Sequence, residues 1–268
     1  MGKINKYCPH CQSSVRQCCG KNRSGSQRVV CECGKKYTIN PKVHGYPDEV
    51  RKQAIKMHFT GSSGRQIGNI MGFSKANIYN WAKKIQPVWI SEITFNDIFE
   101  IDELWHFVKH KEHTETHENT YVIPIISRTP RQIVSFGVEN SKSAKVIQAI
   151  ADKSPYAYQF NSDGYFGYMD VVFPGYHKRN SHDKKDTHNI ESVNADIRHY
   201  IPGLRRRSRC FYRSLDTLRA IFSIFVNAYN KFGEAKLKYR RRLIETYGIR
   251  VKQHNWYKDL PLSIFQFF

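Results

Sequence analysis

Phe99-Glu100-Ile101-Asp102-Glu103-Leu104-Trp105-His106-Phe107-Val108 is the stretch from which the architecture of the chain can be built outward. Rich in β-branched and aromatic residues and free of Gly and Pro, it predicts a strand over Ile98 to Val108 with an aspartate inside it. Tyr121 to Ile126 and Gln132 to Val138 read as two further strands, separated by turn signals. Ser143 to Ala151 carries Val146, Ile147 and Ile150 at helical spacing, and Tyr156 to Phe160 is a fourth strand that stops at Asn161-Ser162-Asp163-Gly164. Three strands, a helix, a strand and more helices predict an α/β domain with a mixed sheet.

That order gives three carboxylates a special position. Asp102 lies in the first strand and Asp163 at the end of the fourth. Glu191 lies in Thr187-His188-Asn189-Ile190-Glu191-Ser192-Val193-Asn194, where Ile190, Val193 and Ile197 mark a buried helical face and Glu191, Asn194 and Arg198 share a neighbouring one. Two strand-borne aspartates facing a helix-borne glutamate form the oxygen cage that hard divalent ions require, with positions left for substrate phosphate. Among the competitors, Glu103 follows Asp102 in a strand, so alternation is expected to turn it to the opposite face, away from the site. Asp183 and Asp186 lie in a polar run with lysines for partners, Asp196 falls on a different side of its helix from Glu191, and Asp170 belongs to a Tyr/Phe-rich segment of undetermined direction.

Charge points to the partner. The chain has 268 residues with 43 Lys and Arg against 23 Asp and Glu, a net charge of +20, spread through folded-looking stretches rather than one tail. A surplus of this size points to a polyanion, with nucleic acid first. A hydrophobic fraction of 40% with 13% aromatics excludes a disordered chain, and no apolar run reaches the length of a membrane span. MGKINKYCPHC is basic with no apolar segment behind it, so no secretory signal is expected and the cytoplasm is the expected compartment.

Six of the seven cysteines fall in the first 33 residues. Cys8-Pro-His-Cys11, a basic Gly/Ser-containing stretch, and Cys31-Glu32-Cys33-Gly34 predict a small zinc ribbon over residues 1–40, each pair supplying two corners of one tetrahedron. The second pair is the tighter Cys-x-Cys, and Cys18, Cys19 or His10 are alternative ligands. A ribbon this short would draw most of its folding energy from the metal.

After TINPKVHGYP the pattern becomes helical, and residues 47–86 read as a helix-turn-helix. Val50, Ala54 and Met57 mark one face of a first helix; Ile67, Ile70 and Met71 are apolar in a second, ended by Gly72. Ser74 caps a third, whose Ile78, Trp81 and Ile85 face one way. Lys75, Asn77, Tyr79, Asn80, Lys83 and Lys84 face other ways, as a DNA-reading helix needs: Asn pairs with adenine in the major groove and Lys neutralises phosphate.

Ile101-Asp102-Glu103-Leu104-Trp105, with Phe107-Val108, resembles the first catalytic motif of the insertion sequence 1 type transposases, and Ser162-Asp163-Gly164-Tyr165-Phe166-Gly167-Tyr168 is similar to the second. Glu191, Asn194, Arg198, Leu204, Arg206, Arg207, Ser208, Cys210, Phe211 and Ser214 follow the family's third block without a gap. The resemblance runs from residue 8 to about 230; the Cys-x-Cys departs from the family's usual Cys-x-x-Cys, and the tail after Phe232 matches nothing in it.

The resemblance implies an RNase H-like domain over 96–232, with a mixed five-stranded sheet and flanking helices, and a basic extension over 233–268. It implies that Asp102, Asp163 and Glu191 bind two Mg²⁺ ions, with Mn²⁺ as a substitute. Such a DDE transposase binds terminal inverted repeats, exposes 3′-OH ends and joins them to target DNA, without a covalent protein–DNA intermediate. A homodimer is expected, since two element ends must be joined together, and a location on the prokaryotic nucleoid. The rival readings are a DNA-binding regulator without catalysis and an RNase H-like nuclease that cuts but does not join.

Arg205, Arg206, Arg207 and Arg209 follow the Glu191 helix and are placed to hold the DNA backbone, as Asn194 and Arg198 are on the helix itself. His106, His110, His113 and His117 read as an exposed hairpin rather than a metal cluster. Leu215 to Phe232 is expected to be a helix covering the sheet, and Leu237 to Arg250 a separate basic helix touching DNA or a second subunit.

Overall fold

The computed structural model describes residues 7–22, 25–39, 45–85, 90, 93–108, 118–129, 131–180, 185–206, 212, 214–247 and 263–268. The chain divides into two compact units, Met1–Val50 and Arg51–Phe268.

The first unit is an antiparallel meander of β1 (Arg16–Lys21), β2 (Gln27–Cys31) and β3 (Lys36–Thr38). Its core is Cys8, Val29, Cys31 and Tyr37, with Ile39 against them. These strands went unread in the sequence because β2 and β3 are short and β1 is polar and mostly exposed.

The division falls within the first turn of α1 (Asp48–Phe59), and the rest of that helix is followed in the second unit by α2 (Gly64–Met71) and α3 (Lys75–Ala82). Ser63 and Gln66 form a capping box at the start of α2, and Gly72, at φ 74°, ends it in the left-handed conformation that glycine adopts without strain. Gly68 lets the chain after the turn pass close by, since a Cβ there would lie 2.4 Å from the Phe73 carbonyl oxygen. The buried residues of α1 are Ala54, Ile55, His58 and Phe59, one step round from the expected Val50-Ala54-Met57 stripe. Ile70 and Ile85, expected on apolar faces, are exposed.

Then come β4 (Ile98–Ile101), β5 (Leu104–Val108), β6 (Glu118–Ser127), β7 (Ile133–Glu139), α4 (Ala144–Ala151), β8 (Gln159–Ser162), β9 (Tyr176–Arg179), α5 (His188–Tyr200) and α6 (Leu215–Tyr247). Ile101 pairs with Ile125 of β6 and Leu104 with Val122, so β4 and β5 are one strand in an unbroken register, interrupted only at Asp102 and Glu103. The interruption lies opposite Pro124, which has no N–H. With β4 and β5 counted together the sheet order is β7, β6, β4/β5, β8, β9, the first three antiparallel and the last two parallel to β4. The architecture is α/β, a mixed sheet with helices on both faces.

Alternation splits the core. Phe99, Ile101, Ile123 and Ile125 pack with Ile147, Ile150, Phe160 and Tyr168 on the α4 side. Leu104, Val122, Ile133 and Val138 pack with Ile190, Val193 and Ile197 of α5, and with Ile221, Phe222 and Phe225 of α6, on the other. Ile55, Phe59 and Ala82 from α1 and α3 join this second core. His58 Nε2 lies 2.9 Å from the Tyr212 hydroxyl, and Phe268 stacks on Phe59 at 4.1 Å.

Two expectations are corrected here. The helix over Leu215 to Phe232 and the basic helix after it are one helix of 33 residues, α6. Asn230 anchors it by accepting from the Ile133 N–H at 2.9 Å and donating to the Ile133 carbonyl at 3.0 Å. The fourth strand runs over Gln159–Ser162 rather than Tyr156 to Phe160, and β9 was missed because Tyr-His-Lys-Arg, at an edge, has no buried alternation.

Candidate functional site

Asp102 and Asp163 are brought together by parallel pairing. Strand β4 pairs with β8 through Phe99 and Phe160, and both aspartates follow directly at the C-terminal ends of these neighbours. One carboxylate oxygen from each of Asp102, Glu103 and Asp163 lies within 4.8 Å of those of the other two. Asp163 also accepts from the Tyr165 N–H at 2.9 Å, which closes the turn after β8.

The third face of the site is α5, and its placement begins with Glu100. This fully buried carboxylate accepts from Ile190 N at 2.9 Å, Asn189 Nδ2 at 2.8 Å and Arg128 Nε at 2.8 Å, so it holds the N-terminal turn of α5 against β4. One turn on, Asn194 Nδ2 donates to Asp102 Oδ2 at 2.9 Å. Glu100 and Asp102, two residues apart in one strand, thus face the same helix.

Burial pushes Asp102 up to about 6; the charge of Asp163 adds to this, and that of Glu191 contributes less. Burial likewise pushes Glu103 up to about 7, against the opposing charge of Lys142. Tyr168 is raised well above its ordinary value by burial and by the charges of Glu103, Asp102 and Asp163, so its hydroxyl faces the acids. Of the three carboxyl groups, Glu103 has a cation beside it, Lys142, whose Nζ is 3.9 Å from Glu103 and 3.7 Å from the Tyr165 ring centroid. The set fits a hard divalent cation: all-oxygen, converging and mutually repulsive until a cation neutralises it.

The expectation that Glu103 points away from the site is overturned. Its neighbours, Tyr168 and Lys142, are on the α4 side as alternation requires, but the ladder stops at Asp102 and Glu103, and there both side chains reach the space beside Asp163. Glu191 is exposed on the first turn of α5 and stands outside the tight three-acid set, while its charge is felt at Asp102. Asp196 faces away, accepting from the Tyr229 hydroxyl at 3.1 Å; Asp186 pairs with Lys178 at 2.7 Å; Asp170 is exposed. Asp183 lies outside the described residues.

Several expected DNA contacts are engaged within the protein instead. Asn194 is committed to Asp102. Arg205 donates from Nε and Nη2 to the His199 carbonyl, at 3.0 and 2.6 Å, and so caps the end of α5 rather than standing free. Tyr79 turns inward, edge-on to His58 at 5.9 Å. Lys75, Asn80, Lys83, Lys84 and Arg206 are exposed, and Asn77 and Arg198 are half-buried. Arg207 and Arg209 lie outside the described residues. His106 is not in an exposed hairpin: it is buried in β5, and burial, then Arg198, lower it to about 4. His110, His113 and His117 lie outside the described residues.

In the first unit the sulfurs of Cys8, Cys11, Cys31 and Cys33 also lie within 4.8 Å of one another. Cys8 and Cys33 are 3.8 Å apart, and Cys11 and Cys31 3.4 Å. A tetrahedron with Zn–S bonds of about 2.3 Å has edges of about 3.8 Å, so the four thiols fit zinc. Positive φ just after each pair, 60° at Gln12 and 77° at Gly34, turns the chain back. The Cys-x-Cys bite works because Cys31 ends β2 and Cys33 sits in the turn that follows. Burial works against the Cys8 thiolate, but the N–H groups of His10 and Cys11 outweigh it and hold the thiol below its ordinary value. Cys18 and Cys19, on β1, stand outside the set, as does His10.

No family model and no curated protein matches the chain. Among solved structures it is similar to the crystal structure of the Mos1 strand transfer complex, with 14% identity, a TM-score of 0.32, and 75% of this chain and 79% of that chain covered. A likeness of that size carries nothing about activity. Among the described residues, no helix is long and apolar enough to cross a membrane.

Proposed function

We propose that this chain is a DNA transposase of the DDE class, similar to those of insertion sequence 1, that cleaves at the ends of a mobile element and joins the freed 3′-OH ends to target DNA. The observation that carries the reading is the convergence of Asp102 and Asp163 at the ends of two parallel strands, with α5 held beside them by Glu100 and Asn194. Asp102, Asp163 and Glu191 would hold the divalent cations, Mg²⁺ or Mn²⁺. Bound there, such ions supply activation of the attacking oxygen and stabilisation of the leaving one. The chain's own part is to keep the carboxylates aimed: Asn194 fixes Asp102, the Tyr165 N–H fixes Asp163, and Glu100 sets the position of the helix that carries Glu191.

Helices α2 and α3 are read as a helix-turn-helix that binds the inverted repeats. Lys75, Asn77, Asn80, Lys83 and Lys84 serve as its DNA-facing residues, and Tyr79 as an internal brace. Residues 1–40 are read as a zinc ribbon holding one structural Zn²⁺ on Cys8, Cys11, Cys31 and Cys33. Arg198, which feels the charges of both Arg206 and Asp102, is read with Arg206 as a phosphate contact. The acting species is read as a homodimer on the nucleoid. The basic half of α6, including Lys238, Arg240, Arg241 and Arg242, is an exposed surface for DNA or a second subunit.

The gene's flanking DNA supplies the substrate: imperfect inverted repeats bracketed by short direct duplications. Incubated with Mg²⁺, such a duplex end and a supercoiled plasmid, the protein should give joined products. Nicking without joining would favour the nuclease, and binding without nicking the regulator.

A further inference from the structure

Glu103 has no task in the chemistry just described, yet its placement is costly. Its side chain is only 7% exposed, and Oε1 is buried without a hydrogen-bond partner. Its other oxygen is 3.9 Å from Lys142 Nζ, a long ion pair, and that ammonium sits closer to the Tyr165 ring. The Tyr168 hydroxyl also faces this side chain, but burying a carboxylate so thinly paired is unfavourable, and placing it within 4.8 Å of two more acids adds repulsion. A second buried oxygen in the same place, Asn194 Oδ1, also makes no hydrogen bond, although the Nδ2 of that amide is committed to Asp102. A divalent cation among Asp102, Glu103 and Asp163 answers both features, since hard cations take several oxygen ligands at once.

We propose that Glu103 is a fourth carboxylate of the cation centre, and that Asp102, Glu103 and Asp163 hold one divalent cation before DNA arrives, with exposed Glu191 acting at a later position. This rests on the reading of the acids as a cation centre. The alternative occupation for Glu103 is structural, as the partner of Lys142.

The test is Mn²⁺ titration of the full-length protein without DNA, followed by electron paramagnetic resonance of the free ion. Wild type should bind one Mn²⁺, and Glu103→Gln at least tenfold more weakly. Because Glu103→Gln leaves Lys142 unpaired and can cost folding, the same comparison is made on a Lys142→Met background. There Glu103→Gln/Lys142→Met should still bind at least tenfold more weakly than Lys142→Met alone. Equal binding by that pair would overturn the assignment of Glu103. Asp102→Asn separates the two levels: if it abolishes binding while Glu103→Gln does not, only Glu103 is misassigned. If wild type binds no Mn²⁺, or binds it unchanged in Asp102→Asn, the cation centre itself fails.

Discussion

Among the described residues, there is almost no apolar core around Cys8, Cys11, Cys31 and Cys33, only Val29 and Tyr37 with Ile39 at the edge. Asp102, Glu103 and Asp163, by contrast, sit at strand ends whose two faces are covered by α4 on one side and by α5 and α6 on the other. Both sets converge within the same 4.8 Å, but by different means. Two short turns bring the thiols together, and a metal would complete that unit's fold. The carboxylates are forced together by a sheet that folds for other reasons, so the fold carries the cost of their repulsion. On the proposed reading a metal would be structural in the first unit and chemical in the second.

If that contrast holds, removing one ligand has opposite consequences in the two places. Cys8→Ser should abolish the folded state of Met1–Val50 and bring zinc below about 0.2 per chain, while the cooperative unfolding of Arg51–Phe268 is unchanged. Calorimetry with metal analysis reads both. Survival of the first unit's amide dispersion in Cys8→Ser would erase the distinction.

Within the second unit, Glu100 is the group that ties α5 to the sheet. Glu100→Ala strips the partner from Arg128 Nε, Asn189 Nδ2 and Ile190 N and should lower the unfolding free energy by about 3 kcal/mol in urea. A loss under about 1 kcal/mol would mean that packing alone positions α5.

A gentler probe is pH. His58 is buried with Nδ1 donating to the Ser62 carbonyl and Nε2 accepting from Tyr212, a neutral tautomer, and burial lowers it from 6.5 to about 4. Because the folded value is the lower one, the unfolded chain binds the proton first. Stability is therefore whole above pH 6.5 and is lost as pH falls towards 4, by about 3 kcal/mol in all. The stability advantage of wild type over His58→Gln should shrink across that window. Parallel pH curves for the two proteins would remove His58 as a titrating brace.

The positions of Asp102, Asp163 and Glu191 were legible because each depends on local pattern: a strand run, a strand end followed by Asp-Gly, and a helical face. Glu103 was misread because alternation is a rule for a continuous ladder, and its interruption opposite Pro124 depends on β6, which is distant in sequence. Glu100 carried a readable signal, since it shares the parity of Asp102. Lys142, Tyr168 and the inward turn of Tyr79 depend on packing between remote segments and left no local mark. The continuity of α6 through Gly233 was hidden because a glycine there reads as a break, and packing of the preceding face onto β7 overrides it.

The proposed activity is metal-dependent strand transfer by Asp102, Asp163 and Glu191 on a scaffold that stands without them. Its most direct measurement is strand transfer by Glu191→Gln and Asp196→Asn, side by side with wild type, in Mg²⁺ and at equal DNA binding. Glu191→Gln, nearly isosteric and uncharged, should fold and bind the element end yet lose cleavage and joining by about 10³-fold or more, while Asp196→Asn stays within about tenfold. Near-normal joining by Glu191→Gln would contradict the account.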